Sequence, residues 1–77
     1  MIEKYWQHYK WRKNNHYYNI YLQHNLLGIW SVINVWGHNY SQAGKYQITF
    51  FDRYRDATAY VASLNKKRQN NHFLNFN

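Results

Sequence analysis

The 77-residue sequence contains no cysteine, so it can form neither a disulfide nor a thiolate metal site. This absence favours an intracellular protein over a disulfide-stapled secreted one. Residues 1–6 contain no hydrophobic signal core, and the apolar runs are far shorter than the roughly 20 residues that a membrane span needs. The sequence therefore predicts a cytoplasmic protein with no membrane partner.

Acidic residues are also scarce, because only Glu3, Asp52 and Asp56 carry a side-chain carboxylate. The five histidines fall in different predicted elements, without cysteine or carboxylate companions: His8, His16, His24, His38 and His72. A metal site needs such residues grouped, and a serine or cysteine nucleophile needs a paired base. We therefore expect no metal, no cofactor and no enzymatic activity.

Positive charge is abundant, since ten lysines and arginines against three acidic residues give a net charge of +7. Such a balance indicates a polyanionic partner, with nucleic acid the leading candidate. The alternative is that a small basic protein uses its charge only to stay in solution. Two clusters could contact phosphates, Lys10, Arg12 and Lys13 in a predicted loop and Lys66, Lys67 and Arg68 at a predicted helix end. The sequence leaves open whether the clusters share one face.

Alternation of apolar and polar side chains predicts four strands in a single domain that spans residues 1–77. The predicted strands are residues 5–11, 17–23, 29–36 and 45–51. Gly37 is expected to turn the backbone away after the third strand. In the fourth strand, Tyr46, Ile48 and Phe50 fall on one side.

A single helix is predicted after the strands, with Asp52 as its cap, Arg53 as its first residue and Lys66 to Arg68 closing it. Its apolar residues recur at intervals of three and four: Ala57, Tyr60, Val61 and Leu64. The apolar tail residues Phe73, Leu74 and Phe76 are expected to pack back on the body. The predicted fold class is α+β, a small antiparallel sheet of about four strands with one C-terminal helix packed on one face.

Trp36 lies at the end of the third predicted strand, where a large aromatic side chain can serve in either of two ways. It can stack on a sugar or an exposed base, a contact worth about 1 to 3 kcal/mol for base stacking. It can instead close the end of the sheet as part of the core.

In order and approximate spacing, a set of residues between about 16 and 73 resembles the WGR domain, a family found in DNA-dependent poly(ADP-ribose) polymerases and in small bacterial proteins. The set comprises the run 17–22, the run 26–30, Trp36, Gly37, Gly44, Phe51, Ala57, Leu64 and Lys67. The resemblance implies a small antiparallel sheet with one helix, and a role in nucleic-acid binding or in contact between domains.

The resemblance also implies a contact surface, since in the polymerases the Trp and Arg of the motif lie against the DNA backbone. Here Trp36 and Gly37 match the motif, whereas His38 replaces its Arg, Tyr40 replaces a glycine and Gly44 is displaced by one residue. A histidine supplies positive charge only when protonated, and it lacks the bidentate fork of arginine.

The sequence thus predicts a non-catalytic module that binds nucleic acid, with duplex DNA as the expected partner, through backbone contacts of little sequence specificity. The candidate contact residues are Lys10, Arg12, Lys13, Trp36, Gly37, His38, Lys45, Lys66, Lys67 and Arg68. The alternative is a protein-interaction module whose basic aromatic surface docks an acidic protein partner or another domain.

Overall fold

The computed structural model describes residues 7–38 and 44–75, which form a five-stranded antiparallel sheet with one helix on one face. The elements are β1 (Gln7–Lys13), β2 (His16–His24), β3 (Trp30–His38), β4 (Lys45–Phe51), α1 (Tyr54–Asn70) and β5 (Leu74–Asn75). The strand order is β4-β3-β2-β1-β5, and each neighbouring pair is antiparallel. The predicted fold class is confirmed, with β5 as an additional short edge strand.

The core lies between the helix and the alternate residues of β1, β2 and β3. Its buried apolar members are Trp11, Ile20, Leu22, Trp30, Val32, Ala57 and Val61. Burial of each large aliphatic side chain contributes roughly 1.5 to 3 kcal/mol. Tyr60 and Leu64 pack against this cluster, so the predicted apolar face of the helix is confirmed.

Two asparagines shape the tight hairpin turns. Asn14 adopts a positive φ of 54° in the two-residue turn between β1 and β2, a conformation that asparagine tolerates better than most residues. Asn25 accepts hydrogen bonds at its side-chain oxygen from the backbone N–H groups of Leu27 and Ile29, while Gly28 supplies a φ of 83°. The first turn is shorter than predicted, because β1 continues through Lys13 and only residues 14 and 15 are left outside the strands.

Gly37 does not turn the backbone as predicted, because β3 continues through it to His38 and pairs it with Tyr17. The ring of Tyr17 lies across this glycine. A Cβ atom at position 37 would lie 2.8 Å from the hydroxyl oxygen of Tyr17, and one at Gly44 would lie 2.8 Å from the same atom. Glycine at position 37 therefore leaves the space that the ring of Tyr17 occupies. It does not reverse the direction of the chain.

The helix also begins differently from the prediction. Its N-cap is Arg53, which makes no side-chain capping hydrogen bond, so the role assigned to Asp52 is wrong. At the other end the helix extends past Lys66, Lys67 and Arg68 to Asn70.

A Schellman motif closes the helix. His72 has a φ of 66°, its N–H donates to the Gln69 carbonyl, and the Phe73 N–H donates to the Arg68 carbonyl. This reversal packs Phe73 against the core, as predicted, and leads into β5. Leu74 is exposed, so its predicted packing is wrong, and Phe76 lies outside the described residues.

None of the helices in the described part of the chain has the length and apolar character to cross a membrane.

Asn34 is a polar residue inside the core layer, 1% exposed, and its side-chain oxygen has no hydrogen-bond partner. An unsatisfied buried acceptor destabilises a protein by about 1 to 3 kcal/mol, and valine has a shape that suits a strand interior. We expect Asn34→Val to raise the free energy of unfolding by about 1 kcal/mol. Urea denaturation followed by circular dichroism measures the change. A less stable variant would mean that the amide makes a stabilising contact.

Candidate nucleic-acid interface

The two basic clusters of the sequence meet at one end of the sheet. Lys13 of β1 pairs with His16 of β2, and His16 pairs with His38 of β3. Trp36, two residues before His38 on β3, pairs with Lys45 of β4. The helix runs towards the same end, because its last turn brings Arg68 against Tyr18, the neighbour of Trp36 on β2. We call this set the basic end: Lys10, Arg12, Lys13, Lys45, Lys66, Lys67 and Arg68.

Among the described residues, those at the opposite end carry a net charge close to zero. Among residues 7–38 and 44–75, the side-chain carboxylates are those of Asp52 and Asp56, and both lie around the helix start beside Arg53 and Arg55. The positive charge of the described residues is therefore concentrated at the basic end. Such separation produces a directional potential that attracts polyanions to one end of the molecule.

Aromatic rings join the two clusters through a row of contacts on the helix side. The rings of Trp36 and Tyr18 stack with centroids 5.8 Å apart and an interplanar angle of 19°. The Arg68 guanidinium lies 4.2 Å from the Tyr18 ring centroid and 5.3 Å from that of Phe73, and Lys13 Nζ lies 5.9 Å from the Phe73 centroid. Lys13 and Arg68 are thus fixed to the same ring by cation–π contacts.

The cations of the basic end differ in accessibility. Lys45, Lys66 and Lys67 are exposed, whereas Arg68 is half-buried between two rings with its Nε atom buried and unpaired. Arg68 therefore holds Tyr18 and Phe73 together, and it is not the fully solvated helix-end charge that the sequence suggests. Lys45, Lys66 and Lys67 are therefore better placed than Arg68 to reach phosphates.

The first predicted cluster is split between the two faces of the sheet. It lies within β1 and not in a loop, so its side chains alternate. Lys13 shares the helix side with Trp11, while Lys10 and Arg12 lie on the other face, with Arg12 opposite Tyr17.

Trp36 is half-buried and lies beside the core cluster, not within it. His38 makes an edge-to-face contact with His16, with ring centroids 4.8 Å apart. Both side chains thus lie at the border between the core and solvent, among the cations of the basic end. Residues 39–43, which include Tyr40 of the WGR comparison, lie outside the described residues.

Sequence reasoning missed a second surface, the sheet face that the helix leaves uncovered, which we call the open face. Pairing between the strands arranges its residues in three rows of four. From the far end towards the basic end they are His8, Tyr21, Ile33 and Ile48; Lys10, Asn19, Val35 and Tyr46; and Leu74, Arg12, Tyr17 and Gly37. Phe50 lies beyond them on β4, next to Ser31. The signal was available, because one helix can cover only one face of a sheet.

Two described side chains have pKa values shifted from their ordinary values, Tyr18 at the basic end and His8 at the far end of β1. Burial raises the pKa of Tyr18, even though the Arg68 guanidinium against its ring opposes the shift. Burial and the neighbouring Lys10 lower the pKa of His8, which stacks on Tyr21 with ring centroids 4.2 Å apart.

The lowered pKa of His8 predicts a loss of stability in mild acid. Between its folded-state pKa and the ordinary value of 6.5, the unfolded chain binds more protons at this site, so stability falls as the pH drops through that window. Thermal melting between about pH 7.5 and pH 5 measures the fall. His8→Gln should reduce it, and an unchanged pH profile in this variant would show that His8 does not contribute.

The described residues offer no grouped set for chemistry. Within residues 7–38 and 44–75 no three His, Asp or Glu side chains lie close enough to hold a metal ion. A shallow cavity lies next to Gln7, His8 and Tyr21, at the far end of β1 from Lys13. Among the described residues that line it, His8 is the one group that titrates near neutral pH, so they supply no acid–base pair.

Comparison with protein-family models, with curated proteins and with solved structures found no match to this chain. The resemblance to the WGR domain thus rests on the residues quoted for it.

Proposed function

We propose that this chain is a non-catalytic nucleic-acid-binding module that contacts the phosphate backbone through its basic end. The main support is that Lys13 of one basic cluster and Arg68 of the other contact the same ring, Phe73. The described carboxylates, in contrast, lie at the opposite end of the helix. A polyanion approaching this end would meet cations from two strands, β1 and β4, and from the helix C-terminus.

The side chains of the basic end suit backbone contacts better than base recognition. Lys45, Lys66 and Lys67 are exposed point charges on flexible stems, and such groups bind phosphates without reading sequence. Half-buried Trp36 adds an aromatic surface beside them, and Tyr18 supports its ring from within the sheet. Duplex DNA is the proposed partner, in agreement with the ligand class that the WGR resemblance implies.

A titration over a range of salt concentrations tests the proposal. A dye-labelled DNA duplex of about 20 base pairs is titrated with the purified protein, and binding is followed by fluorescence anisotropy. We expect micromolar affinity near 50 mM salt, and a slope of log K against log salt of about −4, which corresponds to four or five phosphate contacts. Absence of binding to duplex, single-stranded DNA and RNA at this salt concentration would contradict the proposal.

A second candidate function is docking of an acidic protein partner, which the exposed apolar side chains of β4 favour. Tyr46, Ile48 and Phe50 form an apolar strip on the open face, and exposed strips of this kind mark interaction surfaces. Titration with polyglutamate discriminates the two functions. Binding to polyglutamate as tight as to DNA would favour an acidic protein, because it would show that negative charge alone is recognised.

A further inference from the structure

The open face presents aromatic rings where a second layer of structure would otherwise cover the sheet. Tyr46 is 71% exposed and Phe50 is 67% exposed, although both belong to a regular strand in the same sheet as the core. Tyr46, Ile48 and Phe50 occupy alternate positions of β4, so their side chains leave the same face and form an apolar platform with a ring at each end. The platform extends onto β2, where Tyr21 stacks on His8.

One ring of the platform is held flat by a glycine. A Cβ atom at Gly37 would lie 3.0 Å from Cζ and 3.1 Å from Cε1 of Tyr17, so this ring can lie across β3 only because position 37 has no side chain. Tyr17 thereby presents a ring surface in the same row as Arg12. Aromatic surface and positive charge are adjacent at this point.

The charges of the open face lie along one side of the platform. Lys10 and Arg12 occupy β1, while the most exposed rings occupy β4, three strands away. The described carboxylates, Asp52 and Asp56, lie outside the sheet. The complementary ligand therefore carries flat apolar rings along one edge and negative charges along the other.

A single-stranded polynucleotide has this chemistry, since its bases are free to stack on side-chain rings and its phosphates follow one edge. A duplex has its bases stacked inside and cannot offer them to Tyr46 or Phe50. A second copy of the chain fits less well, because packing two open faces together would bury Lys10 and Arg12 of both copies against a face whose described residues include no carboxylate.

We infer that the open face binds a single-stranded polynucleotide, with bases stacked on the β4 rings and phosphates along Lys10 and Arg12. This inference rests on the proposed function, because it adds a base-stacking surface to a protein that holds the backbone at its basic end. It also sets a preference, since a single strand can contact the β4 rings as well as the cations, whereas a duplex can contact only the cations.

The test compares a double variant, Tyr46→Thr with Phe50→Thr, against the wild-type protein. Threonine preserves strand propensity and net charge, so the fold and the basic end are retained. The probes are a thymidine oligonucleotide of about 15 nucleotides and a DNA duplex of about 20 base pairs, read by fluorescence anisotropy. The matched control is Leu26→Thr with Leu27→Thr, which removes two exposed apolar side chains from the β2–β3 turn.

We expect the wild-type protein to bind the oligonucleotide more tightly than the duplex. The β4 variant should lose about tenfold or more in oligonucleotide affinity, while its duplex affinity and salt slope stay unchanged. The turn variant should bind both probes as the wild type does. Circular dichroism confirms that each variant is folded.

Equal loss of affinity in the β4 and turn variants would overturn the inference, and so would a β4 variant that binds the oligonucleotide as tightly as the wild type. Binding of both probes by the wild type would still support the proposed function in either case. Conversely, failure of the wild type to bind either probe would contradict the proposed function itself. A β4 variant that abolishes a dimer seen by analytical ultracentrifugation, with unchanged oligonucleotide affinity, would assign the open face to a second copy.

Discussion

Trp11→Ala is expected to unfold the domain at room temperature, whereas Trp36→Ala is expected to leave it folded. Trp11 is 6% exposed in the core cluster, and its Nε1–H donates a hydrogen bond to Asn65 Oδ1 at 2.9 Å. Truncation of a buried tryptophan destabilises a protein by about 3 to 5 kcal/mol, which approaches the whole stability of a domain this small. The truncation would also leave the Asn65 oxygen without its partner.

Trp36 occupies a different environment, and its truncation should affect binding instead. It is half-buried, lies outside the core cluster and contacts Tyr18 by stacking. We expect Trp36→Ala to reduce stability by about 1 kcal/mol and to weaken duplex binding by about tenfold, which corresponds to the loss of about 1.4 kcal/mol of contact between its ring and the sugar–phosphate backbone. Thermal melting followed by circular dichroism, combined with the anisotropy titration, separates these effects.

The paired comparison fixes the role of each tryptophan. If Trp36→Ala is unfolded at room temperature, Trp36 belongs to the core and the contact role is wrong. If Trp11→Ala melts with nearly wild-type stability, the assignment of Trp11 to the core between β1 and the helix is wrong.

The second large effect concerns charge at the basic end. We expect replacement of Lys13, Lys45, Lys66 and Lys67 by glutamine to weaken duplex binding by at least about 100-fold at low salt. Each lost phosphate contact should reduce the magnitude of the slope of log K against log salt by about 0.9. Fluorescence anisotropy at several salt concentrations measures both quantities.

The matched control lies at the other end of the helix. Replacement of Arg53 and Arg55 by glutamine also removes positive charge, but near Asp52 and Asp56. We expect this variant to lose less than about threefold in affinity, because these positions lie far from the proposed contacts. Equal losses in the two variants would show that net charge alone, and not its location, governs binding.

The local structure of this chain could be predicted well where periodicity is clean. The bounds predicted for the fourth strand, Lys45 to Phe51, are those observed, because polar and hydrophobic residues alternate from Lys45 to Phe50. The four-residue spacing of Ala57 and Val61 likewise predicted that they share the apolar face of the helix, and both are buried. Trp30 and Val32 occupy alternate positions of β3 and both are buried, as this periodicity requires.

Features set by contacts between distant residues could not be predicted in this way. Gly37 resembles a turn residue in sequence, and only its pairing with Tyr17 shows that it makes room for a ring. Arg68 resembles a solvated charge until the chain reversal at His72 brings Phe73 against it.

The candidate site illustrates the same limit. The sequence identified both basic clusters, but their convergence depends on strand register and on the direction in which the helix crosses the sheet. The open face was missed although the alternation of Tyr46, Ile48 and Phe50 was visible, because alternation alone does not say which side the helix covers.

The central claim, that the basic end is the surface that meets DNA, is tested most directly by mapping amide chemical shifts in the ¹⁵N-labelled protein during titration with a DNA duplex. The largest changes are expected at Lys13, His16, Lys45 and residues 36–38 and 66–68. The amides from Arg53 to Asp56 and at the Leu26–Leu27 turn should move little. Changes centred on these latter positions, or a saturated complex in which the amides of the basic end do not move, would contradict the claim.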